Sequence, residues 1–293
     1  MKTHAVVAKA ATSGDAYSGN SKPKLVAMKP SQFPKPPHGR QVPSFLISVL
    51  SVASTILAWF VVTNAGWVPE LYLPRPQTIA SEFWTLLWDG YQGTSLAGQV
   101  GISLFRTLTG FAIGAVLGVL VGLAAGYFRP LAAAINPILS FLRPVPPIAF
   151  IPLVVLYFGL GETGKIVLIA LTSFNYTVVN AEAGAASTPR AFRRAAATLG
   201  LKPSQEFVRV AFPAALPSIF TGLRVAIALS WAVVVAAELV GAQSGLGFMV
   251  SNAALLLQVP VVFIGIGLIG VVGLILNGII LFAERKIVHW SGR

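Results

Sequence analysis

Six apolar stretches dominate the chain, at about 45–66, 107–127, 138–158, 165–183, 216–240 and 260–283. A helix that crosses a bilayer needs roughly 20 apolar residues at about 1.5 Å of rise each, and each stretch is of that order. In hydrocarbon the backbone amides must find partners inside the protein, so runs of this length read as helices. The expected fold is an all-α membrane protein with six transmembrane helices. Of the 293 residues, 55% are hydrophobic and only 10% charged. Soluble domains carry about 25% charged residues, which excludes an ordinary soluble fold.

The net charge of +12 would suit a nucleic-acid partner if the basic residues shared a face. They lie instead in tails and short loops between apolar runs, a placement that fits topology and anionic membrane lipid, and no nucleic acid is expected. The chain has no cysteine, and its histidines are His4, His38 and His289, near the two ends. Disulfides, thiolate metal sites, a Cys nucleophile and a buried His-based active site are thereby excluded, and no catalytic, cofactor-binding or metal-ligating set is expected.

Residues 1–44 hold Lys2, Lys9, Lys22, Lys24, Lys29, Lys35 and Arg40 against the single acid Asp15. They read as a disordered basic cytoplasmic tail, with 45–293 as the transmembrane domain. No apolar core follows the first lysine at a secretory signal's spacing, and scarce arginine disfavours an organelle transit peptide. A basic tail holds the N-terminus inside, and six spans return the C-terminus inside with Arg285, Lys286 and Arg293. The same topology puts Arg129 and the segment 184–212 inside. Arg75, Arg106 and Lys165 fall to the outside loops, beside Glu70, Glu82, Asp89 and Glu162.

Trp67, Tyr72, Trp84, Trp88 and Tyr91 follow the first span as an aromatic belt would. Pro74-Arg75-Pro76 opens a short helix with Ile79, Phe83, Leu86 and Leu87 on one face, expected to lie in the outer interface. The second span repeats glycine every fourth residue, at Gly110, Gly114, Gly118, Gly122 and Gly126. Such a stripe lets another helix approach at backbone distance, and packing within one chain is favoured over a dimer seam.

The third span contains Arg143-Pro144-Val145-Pro146-Pro147 and then Pro152. Prolines break the helical ladder, so Arg143, Pro146 and Pro147 mark either a broken helix beside a pathway or a passive kink. Gly159 to Lys165 has the spacing of a phosphate-binding loop, but Ile166 stands where a hydroxyl is required and no strand precedes it. It is rejected as a nucleotide site. In the fifth span Arg224, Ala228, Trp231, Val235 and Glu238 share a face, which makes Arg224, Trp231 and Glu238 pathway candidates. The alternative is that each charge snorkels to its own interface. Gln243 to Gly247 then forms an outer turn that either meets a delivery protein or simply connects helices.

Between the fourth and fifth spans lies a basic, helix-forming island. Thr188 and Pro189 suit the start of a helix over 189–199, and Gly200 suits the left-handed residue after its end. A second helix is expected from Pro203 to about Ala211, and Pro213 would open the fifth span. The positive-inside tendency accounts for any single residue of Arg190, Arg193, Arg194, Lys202 and Arg209. It does not account for ordering signals at both ends of the island, which mark a knob that another protein holds.

The run Ala195-Ala196-Ala197-Thr198-Leu199-Gly200, with Phe212-Pro213 and Leu216-Pro217, resembles the EAA loop of ABC importer permeases. The resemblance covers about 60–293 and takes in Leu73-Pro74-Arg75-Pro76, Arg143-Pro144-Val145-Pro146-Pro147, Phe158-Gly159-Leu160-Gly161-Glu162, Gly222-Leu223-Arg224 and Ser244-Gly245-Leu246-Gly247-Phe248. It points to the taurine/alkanesulfonate/nitrate branch. The resemblance implies a type I importer fold in a bacterial inner membrane and a permease that takes up a small anionic or zwitterionic solute. It also implies that Arg190, Arg193, Arg194, Ala195, Ala196, Thr198, Leu199 and Gly200 couple to a cytoplasmic ATPase, which carries the ATP. The other implied partners are an extracytoplasmic solute-binding protein and a second permease copy. One departure is Arg194, which stands where the motif has glutamate. The rival reading is a secondary transporter or channel, which calls for acidic or His relays at mid-membrane that these spans lack.

Overall fold

The glycine stripe sets the central helix pair. In this computed structural model residues 43–290 are described, and they divide into two units at Ala53/Ser54. The described part of the first unit, 43–53, is the opening of helix α1 (Ser44–Asn64). The expected basic tail otherwise lies outside the described residues. The second unit holds the rest of α1 and α2 (Pro76–Asp89), α3 (Leu96–Tyr127), α4 (Arg129–Leu142), α5 (Ile151–Phe158) and α6 (Glu162–Ala186). It continues through α7 (Arg190–Thr198), α8 (Pro203–Glu206), α9 (Phe212–Gly241), α10 (Leu246–Leu255) and α11 (Val259–Ile287).

A Cβ built on Gly110, Gly118, Gly122 or Gly126 would fall within 2.6–2.8 Å of the Cβ of Ile169, Thr177, Ala181 or Ala185 on α6. Gly114 faces Ser173 in the same series. Each partner lies the same number of residues further along the chain, so α3 and α6 run parallel, with glycines of one seated on a four-residue row of the other. Gly184 and Gly222 do the reverse between α6 and α9: their Cβ positions meet Ser218 and Asn180, so the register runs antiparallel. Parallel α3 and α6 require an odd number of crossings between them. The pair α4 and α5 supplies that crossing, bent by 87° at the proline break. Among the described residues five helices are long and apolar enough to span, six with the bent pair counted as one span.

Helix ends differ from expectation in physically informative ways. α3 starts at Leu96, not near 107, because Ser95 caps it by accepting from the Gly98 amide at 3.1 Å. At 32 residues it is about 48 Å long, more than a bilayer core needs. Arg106 is therefore a helix residue and not a loop residue. The fifth span also begins early: helix is continuous over 203–241, with a wide π-helical turn at Phe207–Ala211 in place of a break before Pro213. That widened turn makes room for a proline ring that would clash with the carbonyl four residues back. Of the aromatic belt, Trp67, Tyr72, Trp84 and Trp88 are exposed, whereas Tyr91 is buried. The Tyr91 hydroxyl lies 2.8 Å from Asn252 Oδ1 and 3.1 Å from Gln258 Oε1, tying the turn after α2 to the end of α10 and the N-cap of α11. On α2, Leu86 is buried while Phe83 and Leu87 stay exposed.

Candidate functional sites at the two ends of the bundle

At one end the chain folds α7 against the ends of α3 and α6. Thr188 does not cap α7; its hydroxyl donates back to the Ala185 carbonyl at 3.0 Å, and Pro189 stands at the N-cap without a side-chain bond. The other end forms as expected. Gly200 has φ +71°, its amide donates to Ala197 O at 3.0 Å, and the Leu201 amide reaches back to Ala196 O at 3.1 Å. Glycine enters that left-handed state without the steric penalty of a side chain.

One face of α7 is anchored. Ala196 is buried, and Arg193 Nη2 donates to Ala185 O at 3.2 Å. The Arg193 guanidinium also lies 5.5 Å from the centre of the Tyr127 ring, with Glu206 Oε1 3.8 Å from its Nε. Away from these contacts α7 is free: Arg190, Arg194, Ala195, Phe192 and Leu199 are exposed, Leu199 at 79%. Thr198 is also exposed, its hydroxyl bonded back to Arg194 O at 3.0 Å. Arg194 has no ion-pair partner among the described residues. An exposed leucine and phenylalanine beside arginines on a nine-residue helix form a surface suited to another protein. Beside it, Phe192, Leu199, Leu201, Val210, Pro213 and Trp290 line an open apolar groove of about 440 Å³.

At the opposite end lies a polar node, buried at Arg106 and Glu238 and half exposed at Glu162, whose pairing spacing alone does not disclose. Arg106 donates to Glu162 through Nε and Nη2 at 2.6 and 2.7 Å, to Glu238 through Nη1 at 2.7 Å, and from the same nitrogen to Ser244 O at 2.7 Å. The Glu238 carboxylate also accepts from the Ser103 hydroxyl at 2.8 Å and the Gly247 amide at 2.9 Å. Ser103 accepts in turn from the Leu246 amide at 2.9 Å, and Gln99 accepts from the Gly245 amide at 2.6 Å. Lys165 joins at 3.2 Å from Glu162, so two cations meet two carboxylates and the cluster is neutral. Gly245, at φ +112°, leaves no room for a side chain: a Cβ there would lie 2.5 Å from the Glu238 carboxyl carbon. The Ser-Gly-Leu-Gly turn thus presents successive backbone amides to the bundle, and the Gly159–Lys165 stretch supplies the ion-pair partners Glu162 and Lys165 to the node. A cue was present in the sequence. Arg106, Glu162 and Glu238 each border an apolar run, the placement that makes an ionisable residue seek a partner.

Glu238 is therefore enclosed by the node, its side chain fully buried. Trp231 is buried too, its indole N–H donating to Ile269 O on α11 at 2.9 Å. Ala228, on the same expected face, is exposed, and Arg224 lies 3.6 Å from Glu284 on α11. The stripe Arg224–Glu238 does not line one open surface in this structure. At the elbow of the bent pair Arg143 and Pro146 are exposed, and Pro147 borders a cavity of about 30 Å³ with Leu139, Phe150, Thr172 and Asn175. Asn175 Oδ1 is buried there without a hydrogen-bond partner among the described residues.

Residues 114–289 match the family described as binding-protein-dependent transport system inner membrane component. The taurine transport system permease protein TauC of Escherichia coli (strain K12) is 35% identical over 257 residues, covering 87% of this chain and 92% of that protein. The nitrate import permease protein NrtB of Synechocystis sp. (strain ATCC 27184 / PCC 6803 / Kazusa) is 31% identical over 251 residues, covering 84% and 90%. Among solved structures, an inward-facing conformation of the MetNI methionine ABC transporter aligns with TM-score 0.57 at 22% identity. That alignment covers 73% of this chain and 99% of the matched one, and it supports the fold.

Proposed function

The chain belongs to the binding-protein-dependent transport system inner membrane components, and from that premise we propose that it is the spanning subunit of an importer driven by a separate cytoplasmic ATPase. The observation that carries the reading is α7, held by Arg193 and Ala196 and presenting Phe192, Arg194 and Leu199 to solvent. In this reading the ATPase grips that face and α7 transmits its motion. Force on α7 reaches α6 through the Arg193–Ala185 bond and α3 through the Tyr127 ring. The bundle then tilts to open its pathway to alternate sides.

Two copies of the chain pair around the pathway, with both termini cytoplasmic, and a soluble binding protein delivers cargo at the Glu238 end. The relatives' named cargoes, taurine and nitrate, support a small anionic or zwitterionic solute, a sulfonate or nitrate. The test is ATP hydrolysis by the complex reconstituted with its ATPase and binding protein. Cargo-loaded binding protein raises the rate several-fold, and the same loaded protein without the permease has no effect. A rate indifferent to cargo contradicts the reading.

A further inference from the structure

Beside the anchored face of α7 is a cavity of about 280 Å³, lined by arginines from two helices and by the ends of α3 and α6. Arg129 opens α4, Arg190 opens α7, and Arg193 lies one turn further on. Glu182 is the acid among the lining residues, and its Oε1 already accepts from Asn136 Nδ2 at 2.7 Å. Glu206 approaches Arg193 only to 3.8 Å, beyond hydrogen-bond range. Arg193 Nε is buried without a hydrogen-bond partner among the described residues, and Arg129 and Arg190 have no ion-pair partner there. Neither α4 nor α7 has a side-chain N-cap. The Arg193 side chain is a third exposed and keeps its Nε unbonded, and with the exposed Arg129 and Arg190 three cations border this space against the one carboxylate of Glu182, an excess that an anion would balance.

We propose that this cavity binds a phosphate-bearing anion, which ties the start of α4 to the start of α7. The group carries a compact negative charge with several acceptor oxygens, the complement of guanidinium forks. The rest of the wall is Ala125, Gly126, Ala132 and Ala186 with the polar Tyr127 and Thr188. With Arg129 on the inside, as the topology reading has it, an anionic phospholipid headgroup is the source at hand, and free phosphate is the other. Occupancy would stiffen the base of α7, so the site sets how firmly that helix is held. The binding itself does not depend on what α7 couples to.

The test uses the full-length protein in nanodiscs of phosphatidylcholine with a minor fraction of phosphatidylglycerol, reading the lipid retained by native mass spectrometry after gentle release. Wild type retains phosphatidylglycerol selectively. Arg129→Gln lowers that retention about tenfold, the ratio set by about 1.4 kcal/mol, and Ala132→Leu, which fills the space without touching a charge, lowers it as well. Arg209→Gln, which removes a cation that borders the α7 groove instead of this cavity, leaves it unchanged. Inorganic phosphate that displaces the retained lipid identifies free phosphate as a second source; failure to displace it assigns the site to lipid. Equal retention by wild type, Arg129→Gln and Ala132→Leu with no phosphate competition, or equal loss in Arg209→Gln, overturns the proposal.

Discussion

Replacing Glu238 by alanine is expected to destabilise the protein by about 3–5 kcal/mol, the usual cost of removing one partner of a buried ion pair. Glu238 is fully buried, and its loss strands the Ser103 hydroxyl, the Gly247 amide and one edge of the Arg106 guanidinium. Glu238→Gln keeps the shape and can still accept from two of these donors, so its loss is smaller. The double variant Arg106→Met, Glu238→Leu is expected to recover part of the stability, because it removes the charges along with their mutual satisfaction. The measurement is the thermal midpoint of the purified chain for each variant, read as a double-mutant cycle. A Glu238→Ala protein with an unchanged midpoint and defective transport would return Glu238 to the pathway role that its sequence position first suggests.

The second large effect is expected at Gly114. A Cβ there would land on the Ala170 carbonyl oxygen, 2.7 Å from Ser173 Cβ and 2.8 Å from the Phe174 amide. Two of these three obstacles are backbone, so no rotamer change relieves them and the helices must separate. Overpacking typically costs about 1–3 kcal/mol, and a backbone collision at the centre of the α3–α6 seam belongs at or above the top of that range. Gly114→Leu should therefore fail to accumulate as a folded protein. Gly101→Ala, on the same helix with open space around it, should be neutral or slightly stabilising, since alanine is the better helix former. The check is the yield of monodisperse protein and its thermal midpoint. Matched behaviour of the two variants would mean that the stripe does not hold α3 to α6.

These two sites show what the sequence could and could not disclose. The glycine stripe was legible because a four-residue repeat needs no knowledge of its partner. That the partner is α6 and runs parallel was not, since Ile169, Ser173, Thr177, Ala181 and Ala185 look unremarkable alone. The spans were legible from hydropathy, but their ends were not. Apolar runs begin where lipid begins, whereas α3 and the fifth span continue into polar sequence because Ser95 caps one and a π-helical turn accommodates Pro213 in the other. Gly200 was read correctly because its backbone requirement is local. The role of Thr188 is not legible, because its hydroxyl has a nearer acceptor in the helix it leaves. The Arg106 node joins residues more than 130 positions apart, a juxtaposition that periodicity and spacing do not encode.

The proposal on which the function turns is an ATPase gripping the exposed face of α7. The most direct measurement is the ATP-hydrolysing activity that copurifies with tagged full-length protein from membranes. It is compared with that of Leu199→Asp, of Phe192→Asp and of a chain lacking residues 190–200. Leu199 and Phe192 touch little of their own bundle, so the two point variants should insert and fold at the wild-type level while the copurifying activity falls to background. Undiminished ATPase activity with all three variants would contradict the account.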